Sequence, residues 1–191
     1  MSGVMKLSLS VCGVIIWFAG FSQMKQGLVK EFVPDSTIKS IIKLAGSEAE
    51  GEMWSGVVPQ NEGVFKVATF SNSCGTQYLK MRQFPGSFKN SFGLFEVGKL
   101  DLKSKQDLKK LPFESFVTES GIRLGISKEE LIQIKGKKFQ LVNRNEAETL
   151  IYTLDDHTSV FLNKYNMPSY TAKYSFLNEK LVAFSFGFDS E

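Results

Sequence analysis

The sequence predicts an α+β protein in which short helices pack on antiparallel sheet, as one domain or as two tandem helix-plus-three-strand units. Three observations predict it. Seventeen of 191 residues are phenylalanine, and many alternate with polar residues, as strands covering one face of a sheet do. Apolar runs of strand length are separated by Asn, Ser, Gly and Pro clusters. The segment Gly121–Gly136, GIRLGISKEELIQIKG, carries a full set of helix start and stop signals.

That segment is the best defined. Ser127 sits where an N-cap belongs, and Glu130, three residues on, can complete a capping box. Leu131 and Ile134 share a face, and Gly136 supplies a left-handed C-cap. Ile122 and Leu124 alternate with Arg123 in an extended lead-in.

Taken in order, Met1–Ser22 reads as a secretory signal. Lys6 is its positive charge, Leu7 to Phe21 its apolar run, and Gly20-Phe21-Ser22 its small-residue cleavage site. The alternatives are an uncleaved N-terminal anchor and a lipid attached at Cys12. The apolar run is short against the roughly 20 residues that span hydrocarbon, so no stable membrane span is expected after cleavage. Removing Lys6 lowers the net charge from +3 to +2. Lysine and glutamate are interspersed, which excludes the basic footprint of a nucleic-acid binder.

After a polar lead-in, Asp35 or Ser36 caps a predicted helix. Its apolar stripe is Ile38, Ile41, Ile42 and Leu44, and Gly46 ends it. A short strand is predicted over Met53–Val58, followed by Val64–Phe70, Gln77–Phe84 and Phe92–Leu100. The charged run Lys99–Lys110 reads as a solvated linker or short helix between two units, so the predicted units are residues 23–110 and 111–191. Phe113–Thr118 is a predicted strand before the capped helix. Glu148–Leu154, Tyr170–Leu177 and Lys180–Phe188 are predicted strands after it. Aligning the aromatic faces of the last two requires an odd offset, which predicts a three-residue hairpin loop near Asn178.

The run Gly121 to Ser127, then Glu130-Leu131 and Gly136, resembles the opening of BamE-type (SmpA/OmlA-like) modules, which share an architecture with the β-lactamase-inhibitor-protein fold. Tyr174-Ser175-Phe176-Leu177-Asn178-Glu179-Lys180-Leu181 is similar to their hairpin, with Glu179 replacing the usual glycine. The resemblance covers about residues 113–188. It implies a helix-plus-three-strand module in an envelope or secreted protein, with protein–protein contact as the usual role. The matched positions are caps and turns, so no functional residue carries over.

Chemistry-bearing residues are few. His157, the only histidine, lies in Asp155-Asp156-His157, a metal-ligand or general-base setting that also reads as an exposed turn. No second histidine or paired cysteine completes a zinc set. Cys74 lies in the turn-like Asn-Ser-Cys-Gly and could serve His157 as a nucleophile only if folding brought them together. No catalytic residue, cofactor or metal site is therefore expected. Trp54, in a loop-like setting, is the candidate partner-binding residue. The function this supports is a non-enzymatic exported protein-binding module of envelope-assembly, inhibitor or immunity type. The alternative is a small-ligand-binding protein or small hydrolase using His157 or Cys74.

Overall fold

The computed structural model describes residues 31–45, 60–83, 92–101, 108–144 and 146–188. The expected signal segment, the Met53–Val58 strand and Trp54 lie outside them. The chain first makes a small hairpin, β1 (Thr37–Ile38) and β2 (Ile42–Lys43). Four strands follow: β3 (Gln60–Glu62), β4 (Phe65–Ser71), β5 (Gln77–Gln83) and β6 (Phe92–Lys99). Next come β7 (Lys109–Lys110) and helix α1 (Lys128–Lys135). The chain ends with β8 (Gln140–Arg144), β9 (Ala147–Leu154), helix α2 (Val160–Tyr165), β10 (Tyr170–Leu177) and β11 (Lys180–Phe188).

One sheet collects the nine strands after the hairpin, in the order β3-β4-β5-β6-β11-β10-β9-β8, with β7 parallel to β4 off that path. Along the path every pair is antiparallel. β6 and β11 pair at its centre. Side chains directly opposite one another share a face, so the register defines the core. A row of Phe70, Leu79, Val97, Phe184, Tyr174 and Leu150 crosses six strands. All six are at most 2% exposed. A second row runs Ala68, Met81, Phe95, Phe186, Ala172 and Tyr152.

The expected α+β class is overturned. Strand accounts for 49% and helix for only 11% of the described residues, in two helices of eight and six residues. This is too little helix to form a layer, and the expected helix-plus-three-strand units give way to one β-rich sheet. The largest error is the first helix. Residues 37–43 instead form a hairpin in which Ile38 pairs with Ile42 and Lys39 and Ser40 take positive φ. The β-branched Thr37, Ile38, Ile41 and Ile42 favour extended backbone. A tertiary anchor reinforces it: the Glu119 carboxylate accepts the Ser36 N–H at 2.8 Å and the Thr37 N–H at 2.5 Å. Ile38 and Ile42 still point inward, whereas Ile41 is 55% exposed. The same hairpin holds the expected Phe113–Thr118 strand outside the sheet, through a bridge from Ile38 to Thr118 and a 2.8 Å bond from Lys39 N–H to the Val117 carbonyl.

The capped helix is present as expected. Ser127 Oγ accepts the Glu130 N–H, and Glu130 Oε2 accepts the Ser127 N–H at 2.8 Å. Gly136 ends it at φ 87° and ψ −176°, a positive φ but not the left-handed helical conformation expected. Four elements escaped the sequence reading: β3, β7, β8 and α2, with β7 formed at the end of the expected linker and pairing with β4. In β8 only Val142 is even half-buried, leaving no alternation to detect. α2 is little more than a turn of helix, capped by Ser159 and closed by Asn166 at left-handed φ and ψ.

The final hairpin corrects the expected three-residue loop. Leu177 pairs with Lys180, so Asn178-Glu179 is a two-residue loop with φ of 49° and 59°. The odd offset resides in the strand: Ser175 pairs with Ala183 but Phe176 with Leu181, leaving Val182 as a bulge. The bulge rotates β11 by one position, so Leu181 rather than Val182 joins Phe184, Phe186 and Phe188 on the core side.

Candidate functional site

The register defines the composition of the sheet face turned away from the aromatic core. Its central row is Thr69, Lys80, Glu96, Ser185, Lys173 and Ile151. Beside it run Tyr78, Gly98, Ala183, Ser175 and Thr149. On the other side lie Arg82, Leu94, Gly187, Thr171 and Thr153. Across β11 and β10 this face therefore carries mostly glycine, alanine, serine and threonine. Thr149 and Ser175 share a 3.0 Å hydroxyl–hydroxyl bond there.

Two glycines keep the centre low. A methyl group on Gly187 would lie 2.1 Å from the Gly93 carbonyl oxygen, and one on Gly98 would lie 2.6 Å from the Tyr78 ring. Tyr78 lies across Gly98, its directly opposite neighbour, and fills the space its missing side chain leaves. The Tyr78 hydroxyl donates to Glu96 Oε1 at 2.5 Å. Burial first, then this bond and the Glu96 charge, hold the Tyr78 phenol well above its ordinary pKa.

A charged rim stands on the β3–β6 side. Lys80 Nζ sits 2.7 Å from Glu62 Oε1, and the Arg82 guanidinium lies 4.4 Å from the Phe65 ring centre. Lys80 and Glu62 border a shallow depression of about 260 Å³, also lined by Gln60, Thr69, Tyr78, Glu96, Leu100 and Leu108. Small-molecule pockets are typically about 300–1,000 Å³ and mainly apolar. This one is smaller and walled partly by charge.

The sequence-predicted residues are not brought together. Cys74 lies exposed in the β4–β5 turn, at the end of the sheet where β6 finishes. That turn is built by buried Asn72: Oδ1 accepts the Thr76 and Gln77 N–H groups at 2.8 and 2.9 Å, and Nδ2 donates to the Glu114 carbonyl at 2.7 Å. His157 is exposed beyond the end of β9, where Leu154 pairs with Tyr170 and Tyr170 with Phe188. The antiparallel order puts that at the opposite end of the sheet, so a Cys74–His157 pair does not form. Asp156, beside His157, turns its carboxylate to Thr158, accepting from the backbone N–H and the hydroxyl at 2.8 Å each. Those bonds lower the Asp156 pKa. This is the structure of an exposed Asx turn. No group of three His, Cys, Asp or Glu residues able to hold a metal occurs among the described residues. No helix among them is long and apolar enough to cross a membrane.

No family model, curated protein or solved structure matches this chain. The site must therefore be read from its own geometry. Sequence reasoning nominated Trp54, which lies outside the described residues, and missed the outer face. The signal was present in the strands, where Thr171, Lys173 and Ser175 alternate with Tyr170, Ala172 and Tyr174. Which polar residues become neighbours depended on the strand order.

Proposed function

We propose that this protein is an exported, non-catalytic protein-binding module that engages its partner through the outer face of the sheet. The observation that carries this is the low row Gly98, Ala183, Ser175 and Thr149, bordered by Tyr78 and by the cross-strand neighbours Lys80 and Glu96. Small side chains cost little conformational entropy when covered and let a partner's surface approach the sheet closely. A tyrosine and a rim of charge supply the anchor and the orientation that protein interfaces use. The signal-like N-terminal run supports delivery out of the cytoplasm. The resemblance of Gly121–Gly136 and Tyr174–Leu181 to BamE-type modules, whose usual role is protein–protein contact, supports the same class.

The test is cross-linked pull-down from envelope extract with the full chain, compared with Ser185→Arg, which plants a long side chain mid-face. A partner captured by the wild-type chain and lost in the variant, with melting temperature unchanged, is the expected result. Equal capture by both chains, or no partner at any salt, overturns the reading.

A further inference from the structure

The margins of the sheet are unequal. On one side the outer edge of β4 is occupied by β3 along residues 65–67 and by β7 along residues 70–71. On the other side β8 pairs, among the described residues, with β9 alone. Its five-residue register with β9 runs without a bulge. An antiparallel edge strand presents main-chain N–H and C=O groups to any strand that lies beside it, and natural sheets blunt such edges with proline, bulges or inward-pointing charge. β8, Gln-Leu-Val-Asn-Arg, has none of the three. Leu141 lies opposite buried Leu150 and so continues the core-facing row, yet it is 45% exposed while the rest of that row is buried.

We propose that β8 pairs antiparallel with β8 of a second copy about a two-fold axis at Val142, joining the two sheets into one. The charges select both this occupant and this register. A two-fold through an antiparallel ladder sets one residue opposite itself. With Val142 on the axis, all five residues pair: Gln140 faces Arg144 of the partner subunit and Leu141 faces Asn143 of the partner subunit. Just beyond, exposed Lys138 comes beside the turn that carries Glu146 of the partner subunit, and the same contact repeats at the other end. Moving the axis to Leu141 sets Lys138 against Arg144 of the partner subunit, a like-charge contact. Moving it to Asn143 leaves only Val142 to Arg144 paired and carries Lys138 past the end of the partner's β8. A two-fold normal to the sheet also leaves both outer faces on one side. The β8 edge and the outer face are separate surfaces, so the pairing stands whether or not the outer face binds a protein.

The experiment is disulfide trapping in the full chain carrying Cys12→Ser and Cys74→Ser. Val142→Cys places a thiol opposite its own copy, where non-hydrogen-bonded neighbours approach within disulfide reach. Air oxidation is expected to give a covalent dimer with Val142→Cys and roughly tenfold less with Leu141→Cys or Asn143→Cys, whose thiols are offset along the ladder. Light scattering of the uncross-linked chain is expected to show a dimer that Leu141→Lys, an inward-pointing edge charge, converts to monomer. A chain monomeric at every concentration, or cysteines trapping equally at 141, 142 and 143, overturns the proposal. So does a dimer that persists in Leu141→Lys without trapping at 142. Because trapping needs no destabilising charge, it decides the matter even if Leu141→Lys fails to fold. Ser185→Arg is expected to leave trapping unchanged, which separates this result from the outer-face reading.

Discussion

Asp35 Oδ2 and Lys135 Nζ meet at 2.8 Å with both side chains 1% exposed, joining the segment before the N-terminal hairpin to the last turn of α1. Lys135 Nζ also donates to the Val33 carbonyl at 2.6 Å, and Asp35 Oδ1 accepts the Ser120 N–H at 3.2 Å. Phe32 stacks on Tyr152 at 4.9 Å between ring centres, so the entering chain is held by charge and by ring contact.

Removing one partner of a buried pair is more damaging than removing both. Lys135→Met leaves the Asp35 carboxylate buried without its cation and is expected to lower unfolding free energy by about 3–5 kcal/mol. Adding Asp35→Asn, which keeps an acceptor for Ser120, is expected to restore a large part of that loss. Urea midpoints of the single and double variants measure the difference. A double variant as weak as Lys135→Met would refute the pairing argument.

Two tyrosines on the same strand are expected to respond oppositely to loss of the hydroxyl. Tyr170 OH donates to the Asp35 carbonyl at 2.8 Å and accepts the Asp35 N–H at 3.1 Å. Among the described residues, Tyr174 OH is buried without a hydrogen-bond partner. Tyr170→Phe should therefore cost about 1–3 kcal/mol, whereas Tyr174→Phe should be neutral or stabilising. Paired thermal melts decide it, and equal losses would sink the assignment.

Stability should fall in alkali. Burial pushes the Tyr152 phenol up to about 12 and raises Tyr170 and Tyr174 well above 10. With folded values above the unfolded one, the unfolded chain binds fewer protons once pH exceeds 10. The stabilisation is complete below pH 10 and is lost as pH rises through the folded values. Urea midpoints at pH 9 and 11.5 should show the drop, with the phenolate absorbance of the buried tyrosines, Tyr152, Tyr170 and Tyr174, appearing mainly on unfolding. Ionisation of all five tyrosines in the folded state at pH 11 would contradict it.

Glu179 sits at φ 59° in the two-residue turn that joins β10 to β11. An L side chain is strained there and glycine is not. Glu179→Gly is expected to stabilise by about 0.5–1 kcal/mol, visible as a raised melting temperature. A lower melting temperature would mean that the turn is not of this type.

Local signals alone determined several elements. Ser127 and Glu130 encode their own helix start, because both partners of the capping box lie within one turn. The strands around Phe65, Leu79, Phe95, Tyr174 and Phe186 were legible because alternation is a property of consecutive residues. Tertiary structure decided the rest. Residues 37–43 carry a helix-like spacing of isoleucines, but Glu119, distant in sequence, holds Ser36 and Thr37 in a hairpin. The offset that aligns the aromatic faces was required by the sequence, yet it falls at Val182 within β11 rather than in the loop. The outer face has the least local signature. Its alternating hydroxyls are visible strand by strand, but only the pairing of β6 with β11 makes Glu96 a neighbour of Ser185 and Gly98 a neighbour of Ala183. Strand order is a long-range choice, set by which apolar faces can share one core, and no window of adjacent residues contains it.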